Sequence, residues 1–440
     1  MGTARADRPD RPARSHYAFT LLTQVGQKVP SLLAAMILTR VFTPEAMGGF
    51  FFASSLSFLV ALVTVFGTTQ HLIRSVAANP EAGLGQLGQV LSLRLVLCTA
   101  ALVTMNTLAM AMAPDLAIVV LLTSVYIIVG DLCHSFGGYL FGLRQFRLRF
   151  FVGMVGPIFL VASVPLAVLA GADLPGVLLC YAAASVIMLA CSAVVVRTRF
   201  GRFPLTFDRK VLWRTAAVCW PFAMLDALQI VQFKVDVLMI FAMVSSEAAA
   251  QYETAYRLLE VSRFLVRPLA MTVFPVCVAM GLRGDWFGVR SIMSRLSAVV
   301  FGLGVVLAAI VAIAADPIMA LVWGPAYADS GYLLRILYLT APFLFVGIVA
   351  ATLANALHLE RRLIRLMSMA VVFNVGLNLL LIPLFQALGA AFATLASELA
   401  IMLGVVLLLY RRTGAQAPAR RDQSRAMIEP SSEPGPSVGM

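Results

Sequence analysis

The residues best placed to do chemistry are charged ones inside an apolar stretch. Between residues 252 and 281, Glu253, Arg257, Glu260, Arg263 and Arg267 recur every three or four positions. At about 100° per helical residue they fall, with Phe264, within an arc of roughly 120°, while Leu258, Leu259, Leu265 and Val266 form the opposite face. Glu253 with Arg257, and Glu260 with Arg263, are spaced to pair along one helix. That ladder leaves Arg267 without an acid. An ionisable group at bilayer depth costs at least about 2.5 kcal/mol, so such a stripe must neutralise itself or line a wet cavity that receives an anion. Both readings stay open at this point.

A second polar stripe, Gln24, Gln27, Lys28 and Ser31, lies in the segment 17–39, with Lys28 near its middle. Lys28 would face the same cavity, or pair with Asp226 or Glu398. Arg263, Arg267, Arg257 and Lys28 are therefore the candidate contacts for an anionic substrate. In the segment 215–243, Asp226, Gln229 and Asp236 share one side and Lys234 points away. Carboxylates in a wet bundle can titrate, which makes Asp226, Asp236, Asp131 and Glu398 candidates for a proton or sodium relay. Asn374 and Asn378, one turn apart, are suited to hydrogen bonds between helices. His134 lies one turn from Asp131, but the other histidines, His16, His71 and His358, sit in separate segments and no metal site is legible. Neither a nucleophile with base and orienting acid nor a glycine-rich phosphate loop is present, so an ATP-driven pump in one chain is excluded and no cofactor is expected.

These residues need apolar elements to hold them, and the composition supplies little else. Of 440 residues 61% are hydrophobic and 12% charged, with a mean hydropathy of +0.92. Soluble domains are about one quarter charged. A helix needs about 20 apolar residues to cross a hydrocarbon core of about 30 Å. Twelve segments qualify: 17–39, 48–70, 90–112, 116–140, 150–170, 176–196, 215–243, 252–281, 292–314, 333–357, 366–385 and 389–410. The expected fold is an all-α polytopic membrane protein with about twelve transmembrane helices in two six-helix bundles, 17–196 and 215–412. A basic N-terminus (1–16), a cytoplasmic linker (197–214) and a disordered cytoplasmic tail (413–440) complete the chain. Pro30, Pro157, Pro165, Pro221, Pro268, Pro275, Pro342 and Pro383 read as kinks in or at the ends of spans.

The net charge of +12 does not call for a nucleic acid. With the N-terminus inside, 26 of the 33 Lys and Arg fall on the cytoplasmic side, from Arg5 through Arg74, Arg94 and Arg144 to Arg425. The opposite loops carry Glu45, Asp115, Asp173, Glu247, Asp316 and Asp329, with Arg40 their basic residue. This asymmetry places both termini in the cytoplasm and favours an even number of spans. Polar Gln24, Gln27 and Lys28 in the first apolar stretch argue for a retained helix rather than a cleaved signal peptide. The six cysteines lie in apolar segments without ligand spacing and read as packing residues.

The two halves carry a short repeat. Thr43-Pro44-Glu45-Ala46 through Ala53 aligns at a shift of 202 with Ser245-Ser246-Glu247-Ala248 through Ala255, and Gln27 falls on Gln229. An even number of spans per half would relate the halves by an axis along the membrane normal, with a cavity between them.

Several stretches together resemble a known family. Leu38-Thr39-Arg40-Val41-Phe42-Thr43-Pro44-Glu45-Ala46-Met47-Gly48 is similar to its "lar-x-l-x-p-e-x-x-G" turn, and Gly67 through Arg74 to its "G-x-x-x-x-l-x-R" ending. Asp236 through Ile240, followed by Tyr252-Glu253-Thr254-Ala255, resembles "D-x-x-x-i … G-x-Y-x-x-A", with Gln251 replacing the glycine-like neighbourhood usual before that tyrosine. Gly324 through Tyr327, Asn374 through Pro383 and Gly389 through Thr394 match "G-x-x-Y", "N-x-x-l-N-x-x-l-i-P" and "G-a-a-x-a-T". In order and spacing the chain resembles the oligosaccharide flippases of polysaccharide biosynthesis, the Wzx-type branch of the multidrug/oligosaccharidyl-lipid/polysaccharide exporter superfamily.

The resemblance implies two alternating-access bundles in the bacterial cytoplasmic membrane. They would move an undecaprenyl-diphosphate-linked oligosaccharide to the outer leaflet for lipopolysaccharide or exopolysaccharide synthesis, working beside glycosyltransferases and a polymerase. A cation antiporter of the same superfamily would want an acidic or aromatic cavity, against which the midplane arginines argue. A membrane enzyme on lipid-linked sugars would need a large external loop, and the longest here runs from about Ala315 to Tyr332.

Overall fold

The computed structural model describes residues 11–112, 114–357 and 359–415. The expected basic N-terminus and cytoplasmic tail fall largely outside them. Fourteen α-helices follow in order: α1 (Arg11–Val41), α2 (Pro44–Val65), α3 (Thr68–Ala78), α4 (Gly83–Met112), α5 (Ala117–Gly142), α6 (Phe146–Leu169), α7 (Leu174–Phe200), α8 (Arg209–Met243), α9 (Ser246–Arg283), α10 (Trp286–Trp323), α11 (Gly331–Tyr338), α12 (Ala341–Ala356), α13 (Glu360–Phe385) and α14 (Ala387–Ala415). Short 3-10 turns at Pro114–Leu116 and Pro325–Ser330 are the other regular elements, and no strand occurs among the described residues. Each expected span overlaps a helix; the second, 48–70, crosses the break between α2 and α3, and the tenth, 333–357, takes in the α11–α12 pair. By length and apolarity nine helical stretches of the described residues can cross a membrane, ten if the pair bent by 46° before Ala341 counts as one span. Large apolar side chains such as Ile158, Ile313, Leu321 and Val372 are exposed, as lipid requires.

By its contacts the chain forms two units. The first comprises residues 1–255, 315–333 and 375–391, the second residues 256–314, 334–374 and 392–440. In the first, α5 is the hub, packing on α7, α2, α4 and α3, while α1 lies along α6 and α2 along α8. Leu72 and Val76 of α3, Leu87 and Leu91 of α4, Phe136 of α5 and Val196 of α7 form its core. The non-helical stretch between α7 and α8 is only residues 201–208, and it is docked on this core. Thr206 N–H donates to Ser92 Oγ at 2.8 Å, Phe203 packs edge-on against Phe136, and the Pro204 carbonyl occupies the space a Cβ on Gly88 would need. Glycine at 88 is what lets the chain cross α4 so closely.

The repeat at 43 and 245 marks two helix starts with one chemistry. Thr43 Oγ1 accepts the N–H of Ala46 at 3.4 Å, and Ser245 Oγ accepts that of Ala248 at 3.1 Å. Each cap satisfies an orphan donor, and Glu45 and Glu247 add favourable charge in the first turn.

In the second unit α10 bends at Ala314 (φ −110°, ψ 15°), ahead of Pro317, a proline outside those read as kinks from the sequence. Arg335 Nε donates to the Ala312 carbonyl at 3.1 Å, beside the bend.

Candidate functional site

Polar side chains gather at two places in the first unit. One is centred on Arg94 of α4. The sequence groups Arg94 with the basic residues of the cytoplasmic side, and the structure shows what that grouping could not, that Arg94 is 1% exposed, eleven residues into its helix. Its guanidinium donates to Thr68 Oγ1 (2.6 Å), Thr69 Oγ1 (3.1 Å), Ser135 Oγ (2.9 Å) and the carbonyls of Asp131 (2.5 Å) and Val65 (3.4 Å). A planar fork of five donors suits such a nest, and one side chain thereby ties α4 to α3 and α5. The hydroxyls of Thr68, Thr69 and Ser135 were the legible signal: short polar residues on neighbouring apolar segments, waiting for a donor.

Beside Arg94 lies a cavity of about 260 Å³, into which Gln27, Thr69, Asp131, His134 and Arg149 also project. His134 Nδ1 and Asp131 Oδ1 are 3.2 Å apart on successive turns of α5. The His134 side chain is 56% exposed and that of Asp131 18%, and both line the cavity. Arg149 is braced over the Phe141 ring, 5.0 Å from its centroid.

The other cluster joins α8, α9 and α13. Asp236, 3% exposed, accepts the Tyr252 hydroxyl proton on Oδ2 (2.8 Å) and the Asn378 amide on Oδ1 (2.6 Å). Lys234 points to the other side of α8, where its Nζ donates to Glu253 Oε1 at 2.9 Å. Glu253 thus meets a lysine on another helix, a partner that the spacing along its own helix could not reveal. The side chains of Asp226 and Gln229, on the same helix, lie outside the described residues.

In the second unit Arg263 is the anchor. Its Nη2 lies 3.7 Å from Glu398 Oε1 on α14 and donates to the Tyr256 hydroxyl at 3.2 Å. Both members of the ion pair are largely buried, at 13% and 9% exposed side chain. Arg267, one turn on, is exposed, and among the described residues it makes no hydrogen bond or ion pair. Arg257 is half-buried on the same helix. Lys28 belongs to the first unit, exposed on α1. Of the candidates, the structure therefore brings Arg263 and Glu398 together; Asp131 and Asp236 stand in separate clusters. Among the described residues no group of three His, Cys, Asp or Glu gathers as a metal site would require.

Long apolar helices with charge held in their middle define a polytopic membrane protein of transporter fold. Over 89% of this chain and 96% of the other, the structure is similar to the inward-facing conformation of a multidrug resistance MATE family transporter of the MOP superfamily, with a TM-score of 0.73 and 14% identity. It is similar also to the lipid II flippase MurJ in an inward closed conformation, over 89% of this chain and 87% of that one, with a TM-score of 0.71 and 12% identity. The chain belongs to the polysaccharide biosynthesis protein family, whose profile matches residues 15–280. A curated relative, the probable low-salt glycan biosynthesis flippase Agl15 of Haloferax volcanii, is 26% identical over 164 residues, which are 37% of this chain and 34% of that protein. The match spans about a third of the relative's length.

Proposed function

We propose that this protein is a flippase for a polyprenyl-diphosphate-linked oligosaccharide, undecaprenyl-linked in a bacterium. It moves the lipid from the inner to the outer leaflet of the cytoplasmic membrane by alternating access, with both termini inside. Surface polysaccharide synthesis is the setting, with glycosyltransferases upstream and a polymerase downstream; the protein itself makes and breaks no covalent bond. The family supports this reading, and so does the relative named as a probable glycan biosynthesis flippase.

The observation that carries it is the state of α9 near its middle. Arg263 is held by Glu398 and Tyr256, and Arg267 is exposed one turn further on. Placing an arginine at the centre of a membrane helix costs about 2.5–3.5 kcal/mol, a cost that an anionic ligand offsets when it arrives. A diphosphate bearing sugars cannot cross hydrocarbon unaided, whereas its polyprenyl chain can remain in lipid. Arg267, Arg263 and Arg257 are the contacts assigned to the diphosphate, with Lys28 a further cation. Asp131, Asp236, Asp226 and Glu398 are the groups through which a proton or sodium gradient would drive the cycle.

The test is reconstitution. Proteoliposomes holding the full chain and a fluorescent polyprenyl-diphosphate oligosaccharide should move the glycan across the bilayer. Arg267→Ala should insert normally and slow transfer by about tenfold or more, as loss of one charge-assisted contact implies. Arg267→Lys should recover part of the rate. An inert wild-type protein, or an Arg267→Ala protein as fast as wild type, defeats the assignment.

A further inference from the structure

The cavity of about 260 Å³ beside Arg94 is lined wholly by residues of the first unit, whereas Arg257, Arg263 and Arg267 belong to the second. Its charged groups are Arg94 of α4, Asp131 and His134 of α5, and Arg149 of α6. Asp131 and His134 face each other at 3.2 Å, so two guanidinium groups stand against one carboxylate. Such a lining repels a cation and attracts an anion.

Two donors on the wall are unspent. Arg94 gives its hydrogens to oxygens of the protein, but Arg149 rests on the Phe141 ring, and its guanidinium makes no hydrogen bond or ion pair among the described residues. The Gln27 amide makes no hydrogen bond among them either. Arg149 is the fourth residue of α6, at the end of a first turn that holds no acid, so the helix dipole disfavours its charge. Glycines keep both donors uncovered. A Cβ at Gly153 would lie 3.1 Å from Gln27 Nε2, and one at Gly137 would lie 3.7 Å from Arg149 Nε, so at neither place does the neighbouring helix put a side chain over the donor.

We propose that this cavity binds a small oxyanion, with Arg149 and Gln27 as its donors. The flat guanidinium fork matches the two-oxygen edge of a phosphate or a carboxylate, and its hydrogen bonds to either are charge-assisted. A bound oxyanion offsets the second arginine, which neutral water in the cavity cannot do. Size narrows the ligand further. A volume of about 260 Å³ is about nine times the roughly 30 Å³ share of one water, yet below the about 300–1,000 Å³ of pockets for drug-sized ligands. It suits a phosphate or a single acidic sugar, not an oligosaccharide. The site is separate from the arginines of α9 and does not rest on the flippase reading, because binding needs neither lipid nor transport.

The experiment titrates the full-length protein, in detergent and in a buffer free of other oxyanions, with inorganic phosphate and, separately, with glucuronate. Glucose, the neutral sugar of the same ring, is the control. Calorimetry should show saturable binding of an oxyanion and none of glucose. Binding of phosphate alone marks a free oxyanion as the occupant, and binding of glucuronate extends the site to the carboxylate of an acidic sugar; both uphold it. Arg149→Gln should weaken binding about tenfold or more, a loss of about 1.4 kcal/mol, and Arg149→Lys, which keeps the charge without the fork, should weaken it less. Gln27→Leu should weaken it severalfold, as loss of a neutral hydrogen bond implies, and provides the test if the arginine variant does not fold. Arg147→Gln removes the same charge at an exposed position of α6 and should leave affinity unchanged. Absence of saturable binding by both oxyanions overturns the site, and so does glucose binding as well as glucuronate. Equal losses in Arg149→Gln and Arg147→Gln overturn it too, since they would reduce the effect to surface charge.

Discussion

Gly48, in the first turns of α2, lies against the backbone of Ser246 at the start of α9, so that a Cβ on residue 48 would overlap the Ser246 carbonyl oxygen. The contact joins the two helix starts that the repeat at a shift of 202 identifies, capped by Thr43 and Ser245. Backbone cannot move aside as a flexible side chain does, so a side chain at 48 must push two helices apart. Overpacking of this kind typically costs about 1–3 kcal/mol. Gly48→Val should therefore lower the thermal midpoint of the detergent-solubilised protein by several degrees. Gly85→Ala, where nothing lies within 4 Å of the added Cβ, should leave it unchanged or slightly raised. A Gly48→Val protein that melts like wild type would show that the two caps are not in contact.

What could be read from the sequence followed from this kind of local physics. Apolar runs gave the position of the long helices, because a backbone in lipid must satisfy its own hydrogen bonds, but not the short amphipathic α3 or the break between α11 and α12. The repeat at Thr43 and Ser245 was visible as a Ser/Thr-x-Glu-Ala pattern, and the structure shows that both residues cap helices. Partners were a different matter. The ladder of Glu253 with Arg257 and Glu260 with Arg263 is what spacing along one helix offers; the structure adds partners on other helices, Lys234 of α8 for Glu253 and Glu398 of α14 for Arg263. Ion pairs between helices depend on rotation and depth, which apolar periodicity does not encode. The burial of Arg94 was hidden for a related reason: a single charge near the end of an apolar run says nothing of the acceptors on α3 and α5 that surround it.

Arg94 gives the second prediction. Its donors satisfy hydroxyls and carbonyls from α3, α5 and the end of α2, and hydrogen bonds to a charged donor are worth about 1.5–3 kcal/mol each before desolvation is counted. Arg94→Lys keeps the charge but loses the fork, and should be clearly less stable than wild type. Arg94→Leu should be worse, since it strands several buried oxygens. Yield and monodispersity of the purified variants, with thermal midpoints, measure both. Equal stability of Arg94→Lys and wild type would mean that the fork geometry is irrelevant.

At the buried carboxylate of α8, Tyr252→Phe removes one donor to Asp236 and should cost about 1 kcal/mol, the usual net value of a single hydrogen bond. Asp236→Ala leaves both the Tyr252 hydroxyl and the Asn378 amide short of an acceptor and should cost more than twice as much. Thermal unfolding of the two variants in parallel reads the ratio. If Asp236→Ala is the milder change, the cluster does not hold α8 to α9 and α13.

The Asp131–His134 pair bears on energy coupling. The two groups line the cavity of about 260 Å³ and lie within hydrogen-bond distance of each other, which makes them the pair through which a proton gradient would act in the proposed cycle. Asp131→Asn and His134→Gln should both leave transfer down a substrate gradient intact while weakening its stimulation by an imposed pH difference. Transport in proteoliposomes with and without the pH difference separates the two effects. Undiminished stimulation in both variants would remove this pair from the relay and leave Asp236, Asp226 and Glu398.

Arg263 and Glu398 allow the sharpest measurement, because each is the other's counter-charge at a largely buried site. Removing one partner of such a pair strands the other, a penalty typically of about 3–5 kcal/mol, while removing both avoids it. Arg263→Gln and Glu398→Gln should therefore each destabilise the protein, and the double variant should be more stable than the sum of the two predicts, by about 0.5–3 kcal/mol of coupling. Transport should not recover in parallel. If Arg263 also contacts the diphosphate, the double variant regains stability without regaining its rate. Restored stability with restored transport would make the pair a purely structural clamp and leave Arg267 and Arg257 as the cations on α9 for the substrate. Additive losses in stability would show that the two side chains do not interact at all.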